Sequence, residues 1–141
     1  MKQLEKLDVW RAAQDLAHSA YILTMAPPLS RHFALSDQVR RAAISIPANI
    51  AEGYALASTL QFIRCLRISL GSAAELRSHL ELVVRLKLAD SASTAVVIQL
   101  CTRVISMLVG LLRSLSTKPG PRFSFPDSRF PITPHGRESA L

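Results

Sequence analysis

With 141 residues, 49% of them hydrophobic and only 6% aromatic, the chain is sized for one domain, and its aliphatic bias favours helix-on-helix packing over a sheet sandwich. The net charge is +7, with 13 Lys/Arg against 8 Asp/Glu in residues 1–116 and 4 against 2 in residues 117–141. This basic balance suits an anionic partner such as nucleic acid, although small basic proteins without one are common. Cys65 and Cys101 are too few and too far apart for a disulfide framework and read as buried free thiols in a reducing cytoplasm. The opening Met1-Lys2-Gln3-Leu4-Glu5-Lys6 is charged, unlike a signal peptide, and a cytoplasmic location is expected.

A first helix is expected over residues 4–26. Leu4, Leu7, Trp10, Ala13, Leu16 or Ala17, Ala20 and Leu23 or Thr24 recur on one side at three- and four-residue steps, and Pro27-Pro28 ends the pattern. In the connection that follows, Phe33 is expected to plug the end of the bundle. The second helix spans residues 35–53, with Val39, Ala43, Ile46 and Ile50 as its stripe, Ser36 as N-cap and Gly53 as its stop. Pro47 lies inside it without an N–H for the Ala43 carbonyl, which in an exposed helix costs about 3 kcal/mol; a kink, or a group packed against that carbonyl, is expected. Ile44 lies off the stripe, near Ala48 and Ala51. Either this is a second packing surface, and the chain self-associates, or a small bundle has a wide core face.

A long third helix is expected over residues 60–88, with Phe62, Leu66, Ser69, Ala73, Leu76, Leu80 and Val83 at heptad-like steps. Its opposite side carries Arg64, Arg67, Gly71, Ser78, Leu82 and Arg85, too mixed for a plain solvated face and a second candidate contact surface. After a turn at Asp90-Ser91, a fourth helix over residues 93–116 shows Val97, Leu100, Val104, Met107 or Leu108, Leu111 and Leu115. Gln99 and Arg103 interrupt its apolar run, which therefore reads as a bundle helix rather than a membrane span of about 20 apolar residues. From Thr117 the chain turns proline-rich without helix or strand period, and residues 117–141 read as a disordered basic tail. Phe123, Phe125 and Phe130 there are either a docking motif or an unselected extension. The expected fold is all-α: an antiparallel up-down-up-down four-helix bundle over residues 1–116.

Catalytic patterns are lacking. A di-metal bundle needs inward Glu and paired Glu-x-x-His motifs; Asp15 and His18 have that spacing once, and Glu75 and His79 are four apart. His18, His32, His79 and His135 are scattered, neither cysteine has a neighbouring histidine, and the five glycines form no phosphate loop. No enzyme activity, metal or cofactor is expected. Arg11, Arg40, Arg41, Arg64 and Arg67 are the candidates for phosphate contact, through salt-sensitive forked hydrogen bonds with little sequence preference; the alternative is that they pair with Asp37, Glu75 or Glu81. In a ring of identical subunits each would repeat and the field would become substantial.

The stretch Leu35-Ser36-Asp37-Gln38-Val39-Arg40-Arg41-Ala42-Ala43-Ile44-Ser45-Ile46-Pro47-Ala48-Asn49-Ile50-Ala51-Glu52-Gly53, the block from Phe62 to Leu76 and the opening Leu7-Asp8-Val9-Trp10 resemble the bacterial four-helix-bundle proteins, also called 23S ribosomal RNA intervening-sequence proteins. The resemblance covers about residues 4–116. It implies a ring-shaped homopentamer without enzymatic activity, and a related branch, the accessory proteins of diversity-generating retroelements, works with a reverse transcriptase and binds nucleic acid through a basic surface. Carried onto this chain, it makes Arg40, Arg41, Arg64 and Arg67 candidates for a basic surface, and Pro47, Asn49, Glu52 and Gly53 candidates for structural or intersubunit roles. Two features depart from the family pattern: Lys87 stands where glycine is common, implying a different C-cap, and the tail is extra. Ile44, Ala48, Ala51, Gly71 and Leu82 are the candidate self-association residues. The expected function is a non-enzymatic oligomeric bundle that binds RNA or DNA as an accessory factor, or alternatively a structural or protein-interaction module with no nucleic-acid role. A reverse transcriptase or another protein is a further candidate partner, and a membrane is not.

Overall fold

The computed structural model describes Leu4 and residues 7–116; the expectation of a disordered tail lies outside the described residues. Four helices follow in order: α1 (Asp8–Leu23), α2 (Phe33–Ala55), α3 (Thr59–Arg85) and α4 (Ser91–Ser116), with a single 3-10 turn at Leu29–Arg31 before α2. Each packs on its neighbours in sequence and α4 closes against α1, as short connections between amphipathic helices require. The core is aliphatic, with Leu16, Val39, Ile46, Ile50, Leu66, Leu76, Leu80, Val83, Val104 and Leu108 almost wholly shielded from solvent. Leu7, Trp10, Leu100, Met107, Leu111 and Leu115 only flank it. In α4 the buried stripe is Thr94, Val97, Cys101, Val104, Leu108 and Leu112, rotated slightly from the expected one. This helix is long and apolar enough to cross a membrane by length and composition alone. Its outward side nevertheless carries exposed Gln99, Thr102, Arg103, Ser106 and Arg113.

The ends of three helices differ from expectation, and side-chain hydrogen bonds stand at each of them. The first helix is shorter than residues 4–26: Leu7 is extended, and past Leu23 the buried Thr24 hydroxyl turns back to donate to the Tyr21 carbonyl at 2.6 Å. The second begins at Phe33, so Ser36 is not its N-cap. Ser36 is buried in the first turn and its Oγ donates to the Leu29 carbonyl at 2.7 Å. Phe33 does not plug the bundle; it is 81% exposed. The fourth helix begins at Ser91 rather than Ser93, because Asp90 caps it: the Ser93 N–H and Oγ donate to Asp90 Oδ2 at 2.9 and 2.8 Å.

Pro47 leaves α2 continuous from Phe33 to Ala55. The nearest support is Ser69 Oγ of α3, which donates to the Ile46 carbonyl at 2.8 Å, one residue before the proline and not to the Ala43 carbonyl. Asn49 Nδ2 donates to the Ser45 carbonyl and Oγ, and the Ser45 and Ser72 hydroxyls bridge α2 and α3 at 2.9 Å. Gly53 is not the stop that its residue type suggested. The helix runs two residues further, and a Cβ at Gly53 would stand 2.6 Å from Cys65 Cβ and 3.1 Å from the Phe62 ring. Its lack of a side chain lets the two backbones approach.

The helix exits use the left-handed conformation without glycine. Lys87 has φ 54° and Ala57 φ 53°. After α3, Lys87 N–H donates to the Val84 carbonyl and Leu88 N–H to the Val83 carbonyl, both at 3.1 Å, which is a Schellman cap. The C-cap is therefore of the glycine type with a lysine in the left-handed position, contrary to the expectation of a different cap.

Two outcomes follow. Gly53→Ala improves helix propensity yet should destabilise the fold by about 1–3 kcal/mol, because the added methyl overlaps Cys65 Cβ; urea unfolding measures it. The bonds from Ser93 hold the Asp90 carboxyl below its ordinary value of 3.8. The unfolded chain thus takes up the proton first, and this contribution to stability is complete above that value and is lost as pH falls through the lower folded value. In thermal melts on the acid side of 3.8, Asp90→Asn should show a shallower pH dependence than the parent chain.

Candidate assembly groove and basic surface

The outer side of α2 meets α1 in a groove of about 730 Å³, lined by Leu4, Trp10, Gln14 and Ala17 from the N-terminal segment and by Ile44, Pro47, Ala48, Ala51, Glu52, Tyr54 and Ala55 from α2. Glu52 is its one charged residue among those described. Position along the helix explains the lining: Ile46 and Ile50 take the core side, which leaves Ile44, Ala48 and Ala51 rotated outward beside α1. Ile44 is 52% exposed. Alanines make the wall low and Pro47 makes it stiff. Tyr54 closes one end, its ring edge-on to Phe62 at 6.4 Å.

Three sequence-predicted assembly residues, Ile44, Ala48 and Ala51, are thus brought together. Gly71 and Leu82 are not; they lie exposed on α3, outside the groove, and a Cβ at Gly71 would meet open space. Of the predicted structural motif, Pro47 and Glu52 line the groove, whereas Gly53 abuts Cys65 and Phe62 of α3 and Asn49 bonds back to Ser45 within α2. Trp10 and Gln14 were missed as groove residues, since they join it only by packing of α1 on α2.

The five candidate arginines divide. Arg11 pairs with Asp8 and lines a charged cleft between α1 and α4 with Asp15 and Arg103. Arg41 pairs with Asp37 at 2.9 Å, both exposed; such a pair contributes roughly 0–1 kcal/mol and yields readily to a phosphate. Arg40 is a strut. Its Nε donates to Thr24 Oγ1 at 2.7 Å, and its guanidinium carbon lies 4.7 Å from the Tyr21 ring centroid, fastening the end of α1 to α2. Arg67 is half-buried, and Arg64 is exposed with no ion pair among the described residues. Arg31, Arg85, Lys87, Arg103 and Arg113 share that unpaired, exposed state, and of these only Arg85 was noted as part of a contact surface.

Other chemistry is sparse. Burial pushes the Cys101 thiol up to about 11, and it donates to the Ala73 carbonyl at 3.3 Å, so it is protonated and occupied at neutral pH. His79 Nε2 lies 3.2 Å from Glu75 Oε1, while Asp15 and His18 are both exposed. Among the described residues, no group of three or more His, Cys, Asp or Glu side chains is placed to hold a metal.

The fold and this surface define a small four-helix bundle with an open apolar face and unmatched cations. Residues 5–110 match the sequence profile of the 23S rRNA-intervening sequence protein family, and the chain belongs to that family. Its structure is similar to the crystal structure of a protein of unknown function from the S23 ribosomal protein family of Bacteroides thetaiotaomicron. The two superpose with a TM-score of 0.68 at 25% identity, over 74% of this chain and 98% of that one. No curated protein sequence matches the chain.

The division of the arginines is testable. Arg40→Ala should cost about 1–2 kcal/mol of stability, since it removes a charged hydrogen bond to the buried Thr24 hydroxyl. Arg64→Ala should stay within about 0.5 kcal/mol of the parent in the same denaturant titration.

Proposed function

We propose that this protein is a non-enzymatic bundle that assembles with copies of itself through the α1–α2 groove and acts as a nucleic-acid-binding accessory factor. The groove carries the reading. A bundle whose core is already filled has no internal use for an apolar trough that keeps Ile44 half in water; a second copy covers it and gains the burial. Closed symmetry then repeats every unpaired cation around the assembly. Arg64, Arg85, Arg103 and Arg113 are exposed without acidic partners among the described residues, and this supports an anionic partner of extended charge. A homopentamer remains the expected form.

The alternative, a protein-interaction module with no nucleic-acid role, is favoured by one observation: Arg11, Arg40 and Arg41 are already engaged within the subunit. Two measurements separate the readings. Ile44→Glu should lower the mass seen by light scattering while leaving the helical spectrum intact; an unchanged mass would remove the groove from the assembly. The parent chain should bind RNA and DNA at low salt and lose affinity steeply between about 50 and 200 mM salt. Flat titrations would leave only the interaction module.

A further inference from the structure

We propose that the end of the bundle that carries Arg31, Phe33 and Lys87 is a site for single-stranded nucleic acid, with an unpaired base stacked on the Phe33 ring and phosphates held by the cations. This rests on the nucleic-acid reading above and adds to it a location and a strand form.

Phe33 is the most exposed large apolar side chain among the described residues, at 81%. Water contact over a whole aromatic ring is unfavourable and serves no packing role here. The ring stands on a fixed mount. Leu29 N–H donates to the Leu88 carbonyl at 2.9 Å, which ties the α1–α2 connection to the α3–α4 connection. His32 N–H returns to the Leu29 carbonyl at 2.9 Å, and Ser36 Oγ donates to the same carbonyl at 2.7 Å. The backbone that carries the ring is thus already ordered, and only the ring's own rotation is lost when a base lands on it.

The cations flank that tie. Arg31 is two residues past Leu29 and Lys87 precedes Leu88, with Arg85 a turn away; none has an ion pair or side-chain hydrogen bond among the described residues. Of the carboxylates at this end, Asp37 is paired with Arg41, and Asp90, which accepts from Ser93, keeps one negative charge against three cations. Positive charge is left over beside an open aromatic face. Met25 and Leu86, both more than half exposed, supply apolar edges.

Those features select a single strand over other occupants. A duplex keeps its bases stacked inside and has no free face for the ring, whereas unpaired bases stack on aromatics irrespective of sequence. A second copy meeting this end two-fold would set Arg31, Arg85 and Lys87 against their own counterparts. An anionic lipid sheet is flat and would meet Asp90 as well, whereas a strand can pass beside it.

The test uses the full chain, fluorescence anisotropy and a labelled unpaired RNA of about a dozen nucleotides, with its DNA equivalent and a hairpin duplex for comparison. The unpaired strands should bind more tightly than the duplex. Phe33→Ala should weaken them by roughly 5- to 100-fold and Phe33→Trp should not. Arg31→Ala and Lys87→Ala should each lower the slope of log affinity against log salt by about 0.7. Phe33→Ala should keep its thermal midpoint, since the ring is exposed; if it does not, Phe33→Trp and the cation variants carry the decision. Strand binding that survives Phe33→Ala and both cation variants overturns this site and leaves the nucleic-acid reading standing. Absence of binding to any RNA or DNA at low salt overturns both. Phe33-dependent binding to phosphatidylserine vesicles, with no oligonucleotide binding, assigns the end to lipid and overturns the proposal.

Discussion

How closely α2 can lie against α3 governs the rest of the molecule. The two form the most extensively packed pair of helices, and small residues make that possible. Gly53 leaves room for Cys65 and Phe62, and below it Ser45 and Ser72 share a hydrogen bond while Ser69 reaches the Ile46 carbonyl. Dispersion forces fall off steeply with distance, so a closer crossing gains contact along both helices. It also settles rotation. With its small polar edge turned to α3 and its isoleucine edge to the core, α2 has its third edge left over, and that edge is Ile44, Ala48 and Ala51. The open groove beside α1 is thus a by-product of the α2–α3 contact.

Buried polar groups do related work. Thr24, Ser36, Ser69 and Thr94 are the buried polar side chains among the described residues, and each has a partner. A hydroxyl withdrawn from water without a partner costs roughly 1–3 kcal/mol, so Ser69 favours one packing of α3 on α2, and the other three favour one arrangement of the connections at the ends of the bundle. Thr24 holds Arg40, and Ser36 holds Leu29. The backbone of the connections is consequently well determined, and so is the place at which each exposed side chain is attached.

Charge adds a sorting rule. Cations that found a carboxylate one helical turn away, as Arg41 and Arg77 did with Asp37 and Glu81, belong to ordinary solvated helix faces. Arg40 turned inward, to a hydroxyl and an aromatic ring. What remains unpaired lies mostly toward the helix termini and the outer sides of α3 and α4, with Arg31, Arg85, Lys87 and Arg113 near helix ends. The long-range field of the subunit therefore comes from residues that local pairing did not neutralise.

The sequence alone determined four helices, their order and most of the core. Residues such as Val39, Ile46, Leu66, Leu76 and Val104 recur with the helical period, and that period is a local property. It also marked Ile44, Ala48 and Ala51 as surplus to the core side of α2, because rotation about one helix axis can be counted from spacing. Tertiary structure alone decided whether Gly53 ends a helix or admits a neighbour, whether Ser36 caps or braces, whether Phe33 is covered, and which arginines stay free. Each of those outcomes depends on an atom more than one turn away along the chain: Cys65 Cβ, the Leu29 carbonyl, the Thr24 hydroxyl. Periodicity reports a residue's own helix and carries no information about which neighbour fills the space beside it.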